Sequence, residues 1–130
     1  MSTSPIKVLI VDDQTLVRES LCGVLKGFTN LEVVAEARDG EEAIRYVEAL
    51  KPDVVLMDIN MPRMDGVAAT RVIKSQHPDI AIVGVTITAD GYHQSAMKRA
   101  GAYEVVSKTK MSLQQLYATL EKAARSVGNC

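Results

Sequence analysis

Cysteine is scarce in this chain. Of 130 residues, only Cys22 and Cys130 carry a thiol. They lie far apart, and Cys130 ends a Gly-Asn tail, so no disulfide framework is expected and a reducing, cytoplasmic setting is. Charge of one sign is also lacking. Fifteen basic residues against sixteen acidic ones leave a formal charge of −1, and no whole-chain field draws the protein to nucleic acid or to an anionic membrane. No apolar run approaches the roughly 20 residues that span a bilayer. The opening Met1-Ser-Thr-Ser-Pro5 has no basic stretch ahead of an apolar one, so no signal peptide is expected.

What is present is a hydrophobic fraction of 47% and a charged fraction of 24%, the composition of a globular domain large enough to bury a core. No repeat, low-complexity tract or internal linker divides it. A single domain over 1–130 is expected, with its core at about 6–125 and short tails at either end.

The most informative stretch is Val54-Val55-Leu56-Met57-Asp58, an unbroken apolar run that ends in a carboxylate and is followed by Pro62 and Gly66. Such a run reads as a strand buried on both faces. A second strand, residues 6–11, ends in Asp12-Asp13 in the same way. From Gln14 the pattern turns helical, with Leu16 or Val17, Leu21, Val24, Leu25 and Phe28 on one stripe and Gly27 and Thr29-Asn30 closing it. Residues 31–37, which carry two glutamates, suit a strand near the sheet edge. Glu41 and Glu42 occupy the first turn of the next helix, where the macrodipole favours acids. Its inner face is Ala43, Ile44, Val47 and Leu50. After Gly66 a helix carries Val67, Thr70 or Arg71, Ile73 and Lys74 until Pro78 stops it. A buried strand at 80–86 ends at Thr86, and a helix over about 92–100 closes at Gly101. A short strand from Tyr103 to Val106 leads to Ser107-Lys108. The last helix, about 112–126, starts at Ser112 and buries Leu113, Leu116, Tyr117, Leu120 and Ala124. His77 and His93 match no ligand pattern and read as surface residues. Five strands alternating with five helices require right-handed crossovers, hence an α/β, doubly wound parallel sheet with helices on both faces.

In a parallel sheet the C-terminal ends of the strands share one edge, where open α/β sheets bind ligands. Here that edge collects Asp12, Asp13, Asp58, Thr86 and Lys108. Singly, each has an ordinary explanation; an acidic pair after a strand most often caps the next helix. Together they describe a site. At an effective dielectric near 20, two unit charges 4 Å apart repel by about 4 kcal/mol, and a divalent cation relieves this. Oxygen ligands without His or Cys point to Mg²⁺ (or Mn²⁺). A metal beside a carboxylate, a lysine and a hydroxyl fits phosphoryl transfer with Asp58 as nucleophile.

With Val11-Asp12-Asp13, the run from Met57 to Gly66, Thr86, Ala100-Gly101 and Lys108 in place, the chain resembles the receiver domain of two-component response regulators from Ile6 to about Arg125. The resemblance implies a flavodoxin-like fold with strand order 2-1-3-4-5. It implies that Asp58 takes a phosphoryl group from a sensor histidine kinase or a histidine phosphotransfer protein. Asp13, Asp58 and the Asn60 backbone carbonyl would bind Mg²⁺, with Asp12 acting through water. Thr86 and Lys108 would contact the phosphoryl group, which adds about −1.5 to −2 of charge. The last two helices and last strand would then shift between two packings, signalling to an output domain or partner or forming a homodimer. The module would be a signalling protein, catalysing its own phosphorylation and dephosphorylation at Asp58, rather than an enzyme acting on a substrate.

Some features depart from the family pattern. The position three before Lys108, usually aromatic, is Val105, and Tyr103 stands two earlier, so the switch is altered or moved to Tyr103. The segment at 13–19 is similar to regulators with a helix-turn-helix output, which makes control of transcription a further expectation. DNA would be reached only through an output domain outside this chain, which is either a stand-alone receiver or part of a longer regulator. Asn60 and Thr88, linked in the family to acyl-phosphate lifetime, are neutral, so no extreme lifetime is expected. Two other readings exist. An aspartyl-phosphate phosphatase would need a second acid where Asn60 stands, and a scaffold or dimerisation receiver would not need the complete residue set.

Overall fold

The computed structural model describes residues 4–87 and 91–128. Thr88 and Cys130 lie outside these residues. The elements run β1 (Ile6–Val11), α1 (Thr15–Leu25), β2 (Leu31–Ala37), α2 (Gly40–Leu50), β3 (Val54–Asp58), α3 (Gly66–Gln76), β4 (Ala81–Thr86), α4 (Gly91–Ala100), β5 (Glu104–Ser107) and α5 (Leu113–Gly128). The strands form one parallel sheet in the order β2-β1-β3-β4-β5. This is the doubly wound fold expected from the alternation.

The three inner strands owe their place to apolar side chains on both faces. Val8, Ile10, Val54, Leu56, Val83 and Val85 pack with α1 and α5 through Leu25, Leu116 and Leu120. On the opposite face, Leu9, Val11, Val55, Met57 and Ile82 pack with α2, α3 and α4 through Val47, Ile73 and Met97. Alternation puts successive residues on opposite faces, so each inner strand contributes to two cores and is pinned in register. The edge strand β2 exposes Glu32, in keeping with its two glutamates.

Helix starts and stops follow local chemistry. Asp39 caps α2 by accepting from the Glu42 amide, and Asp65 caps α3 by accepting from the Ala68 amide. Ser112 and Gln115 cap α5 reciprocally, each side chain accepting from the other's amide. Helix α4 ends at Gly101, whose φ of +117° suits glycine. The Gly101 amide donates to the Lys98 carbonyl and the Ala102 amide to Met97, which is a Schellman closure.

Several expected faces are corrected. On α1 the buried residues are Cys22 and Leu25, while Leu16 is 80% exposed and Val24 faces outward; the helix is rotated so that small Cys22 meets β2. Leu50 and Leu113 are exposed at helix ends, beyond the reach of the sheet, and Ala123 joins the α5 core face instead. On α3, Thr70 is buried and Arg71 exposed. His77 is not a surface residue: only 13% of its side chain is exposed, and Nε2 lies 3.4 Å from Glu48 Oε2 on α2. Tyr103 precedes β5, half exposed, and its amide donates to the Ile82 carbonyl. That level is four residues along β4 from Thr86, about 13 Å along the strand at 3.3 Å per residue, twice the offset of Val105. Val105 pairs with Gly84, two residues before Thr86. No helix among the described residues is long and apolar enough to cross a membrane.

Candidate functional site

The register of the sheet brings four strand ends to one edge. Val11, the last residue of β1, pairs with Met57; Asp58 pairs with Val85; and Thr86 pairs with Ser107. Asp12, Asp58, Thr86 and Lys108 therefore emerge side by side, with Asp13 next to Asp12. Ligand oxygens of Asp12, Asp13 and Asp58 all lie within 4.8 Å of one another. Asp12 is 1% and Asp58 5% exposed, whereas Asp13 is open to solvent.

Each buried acid has specific partners. Asp12 Oδ1 accepts from the Gln14 amide at 2.9 Å and Oδ2 from Lys108 Nζ at 2.8 Å. The ordinary reading of the acidic pair as the cap of α1 is not met: the cap residue is Gln14, whose side chain makes no capping bond, and the backbone amide that Asp12 accepts from is that of Gln14 itself. Asp58 Oδ1 accepts from the Asn60 amide at 3.3 Å, and Oδ2 stands 3.8 Å from Lys108 Nζ. The Lys108 amide donates to the Thr86 carbonyl, which ties the lysine to the end of β4. Thr86 is 1% exposed.

The loop after β3 is folded back onto the strand. The Gly66 amide donates to the Ile59 carbonyl at 2.9 Å. A methyl group on Gly66 would fall 2.3 Å from the Asp58 carbonyl oxygen and 2.8 Å from Ile59 Cα. Only glycine allows α3 to begin this close to the acid. Within the loop, Arg63 takes φ +66°, and Asn60 is exposed.

Burial pushes the Asp58 carboxyl up from 3.8 to about 6; Lys108 opposes the shift, Asp12 adds to it, the Asn60 amide opposes it and Asp13 adds to it. Burial disfavours the charged form here by more than Lys108 and the Asn60 amide offset. Three carboxylates with no imidazole or thiolate form a hard-oxygen set suited to a divalent cation such as Mg²⁺ or Mn²⁺, so the residues present fit such an ion.

Two further features were not legible in the sequence. Arg18 of α1 reaches the Asp12 carbonyl from outside the acidic cluster. Its partner Glu36 lies 18 residues away on β2, a pairing that no local pattern reveals. A groove of about 600 Å³ also opens between α1 and α5 beside the site, bordered by Gln14, Leu16, Ile87, Lys108 and Leu113. Helical periodicity places Leu113 in the core and offers Leu16 as the alternative to Val17, but both are exposed at this groove.

The chain is similar to known proteins in sequence and in fold. The family model described as "Response regulator receiver domain" matches residues 8–121. Response regulator GacA of Pseudomonas syringae is 43% identical over 103 residues, 79% of this chain and 48% of that protein. A protein-glutamate methylesterase/protein-glutamine glutaminase of Oleidesulfovibrio alaskensis is 44% identical over 112 residues, 85% of this chain and 31% of that protein. The chain thus spans about half and about a third of these relatives. The crystal structure of the response regulator domain of Thermotoga maritima CheB superposes with a TM-score of 0.81 at 30% identity, covering 97% of this chain and 98% of that one. With the acidic triad at the strand ends and the 2-1-3-4-5 sheet, these matches place the chain in the response regulator receiver domain family of two-component signalling.

Proposed function

We propose that Asp58 is the phosphoacceptor of this receiver and that a phosphohistidine on a sensor histidine kinase or phosphotransfer protein is its donor. The observation that carries the reading is the position of Asp58: a buried carboxylate at the end of β3, with two acids in ligand range and a lysine ammonium across from it. An Asp58 carboxylate oxygen attacks phosphorus, the P–N bond to the imidazole breaks, and its electron pair stays on the imidazole nitrogen. Asp13, Asp58 and the Asn60 backbone carbonyl would hold the divalent ion. Asp12, which holds the Gln14 amide and Lys108 in the resting state, would act through water. The ion, when bound, offsets the negative charge of the carboxylates and of the transferring phosphoryl oxygens. Lys108 then exchanges Asp12 for a phosphoryl oxygen, and the Thr86 hydroxyl takes another.

The face that changes is formed by α4, β5 and α5. Helix α4 buries only Met97 and Ala100, a small anchor for a ten-residue helix, which suits an element with two packings. The partner that reads this face is an output domain, a separate protein or a second copy of the chain. The groove beside Lys108 offers the donor protein an apolar surface next to a rim over which a phosphohistidine could reach Asp58.

The test is phosphorylation by acetyl phosphate or phosphoramidate with Mg²⁺, read by intact-protein mass. A gain of about 80 Da is expected for the native chain and none for Asp58→Asn. Labelling that persists in Asp58→Asn would sink the assignment.

A further inference from the structure

The Asp12–Asp13 dipeptide is gripped from outside the acidic cluster. Arg18 Nη1 donates to the Asp12 carbonyl oxygen at 2.8 Å, and Nε of the same guanidinium donates to Glu36 Oε1 at 3.2 Å. Arg18 is well covered, with 15% of its side chain exposed against 33% for Glu36. On the other side of the residue, the Asp12 amide donates to the Ala37 carbonyl of β2 at 3.0 Å. Both peptide groups flanking Asp12 are thus tied down, one to the sheet and one to α1. The carbonyl that Arg18 holds belongs to the peptide plane carrying the Asp13 amide, so its direction sets where Asp13 points.

We propose that Arg18 is a positioning residue for the cation site: by clamping the Asp12 carbonyl it aims the exposed Asp13 carboxylate toward Asp58, and Glu36 holds the guanidinium fork in place. The inference rests on the reading that Asp13 and Asp58 bind the ion. A planar fork with fixed donors is needed, because one group must serve β2 and the end of β1 at once, which the single ammonium of lysine does poorly. Partners that orient metal ligands from outside commonly change affinity 10–100-fold when removed.

The sign of the effect separates positioning from charge. A cation near the carboxylates repels a divalent ion, so loss of charge alone would tighten Mg²⁺ binding. Loss of positioning weakens it. Mg²⁺ affinity is measured by titration calorimetry on the metal-free chain, with thermal stability followed in parallel. Arg18→Ala and Arg18→Lys are expected to bind Mg²⁺ about tenfold or more weakly, and Glu36→Gln, which keeps an acceptor for the fork, less than threefold more weakly. Unchanged or tighter binding in both Arg18 variants overturns the proposal. Should a variant fail to fold, the native chain supplies a separate reading: the Arg18 side-chain N–H resonances should shift on Mg²⁺ titration together with the Asp13 amide, and a static Arg18 signal overturns the proposal. A native chain that takes up no Mg²⁺ at all would instead overturn the assignment of the site itself.

Discussion

Lys108 Nζ is bonded to Asp12, at 2.8 Å, and stands 1 Å further from Asp58, at 3.8 Å. The ammonium therefore neutralises a neighbour of the acceptor more fully than the acceptor itself. Burial raises the Asp58 carboxyl and Lys108 offsets only part of that; if Asp58 is the phosphoacceptor, the lysine could transfer its bond to a phosphoryl group carrying about −1.5 to −2. On the proposed reading, the resting contact with Asp12 is a holding position for the lysine.

Replacing Lys108 with Ala should expose this arrangement. Asp12, nearly fully buried, would keep only its bond from the Gln14 amide, and leaving such an acid without its cation costs up to about 3 kcal/mol. A divalent ion would restore part of that loss and would bind more tightly without a competing ammonium. Urea unfolding with and without Mg²⁺ checks this. An equal loss in both conditions would contradict it.

The raised Asp58 carboxyl makes a pH prediction for the metal-free protein. Its folded value, about 6, lies above the ordinary 3.8, so folding favours the protonated acid. The associated stability is fully present below pH 3.8 and is lost as pH rises through 6. At 1.36 kcal/mol per unit, the shift from 3.8 to about 6 corresponds to about 3 kcal/mol by pH 8. In EDTA, Asp58→Asn should therefore be more stable than the native chain at pH 8, by up to about this amount, and the gap should shrink toward pH 4. Parallel stability profiles for the two proteins would contradict the shift. Added Mg²⁺ should stabilise the native chain increasingly from pH 6 to pH 8, because protons and the ion compete for the same carboxylate.

Much of this site is legible in the sequence, for a geometric reason. Parallel strands share one C-terminal edge, so residues that end apolar runs must meet; Asp12, Asp58, Thr86 and Lys108 needed only correct strand assignment. Helix orientation was less legible. The α1 stripe contained one apolar residue too many, and which of Leu16, Val17 and Val24 faces inward depends on a rotation set by Cys22 against β2. Arg18 and Glu36 were invisible because their pairing joins two elements whose facing sides appear only after the sheet has formed. The burial of His77 against α2 is a tertiary fact of the same kind.

Two glycines should respond differently to alanine. At Gly66 the new methyl would meet backbone atoms of Asp58 and Ile59, at 2.3 and 2.8 Å, which have no rotamer to escape into. At Gly84 it would meet the end of the flexible Met97 side chain at 2.8 Å. Gly66→Ala should cost about 3 kcal/mol and slow phosphorylation by acetyl phosphate, because the loop carrying Asn60 must lift away from Asp58. Gly84→Ala should cost about 1 kcal/mol or less and leave the labelling rate unchanged. Chemical denaturation and mass-spectrometric labelling rates separate the two cases; equal effects would show that contact with backbone is not what distinguishes them.

The exposed Leu16 tests how the donor approaches. It is 80% exposed and borders the groove beside Lys108 and Gln14, so a charge there has no core to disturb. If a histidine-bearing protein docks over this rim, Leu16→Asp should slow phosphotransfer from a kinase domain that phosphorylates the native chain, by about tenfold or more. Acetyl phosphate, small enough to reach Asp58 without touching α1, should label the variant as fast as the native chain. Equal loss with both donors would trace the effect to the site itself, and equal retention would place the docking surface elsewhere. The ratio of the two rates therefore locates the approach path independently of how well the acceptor works.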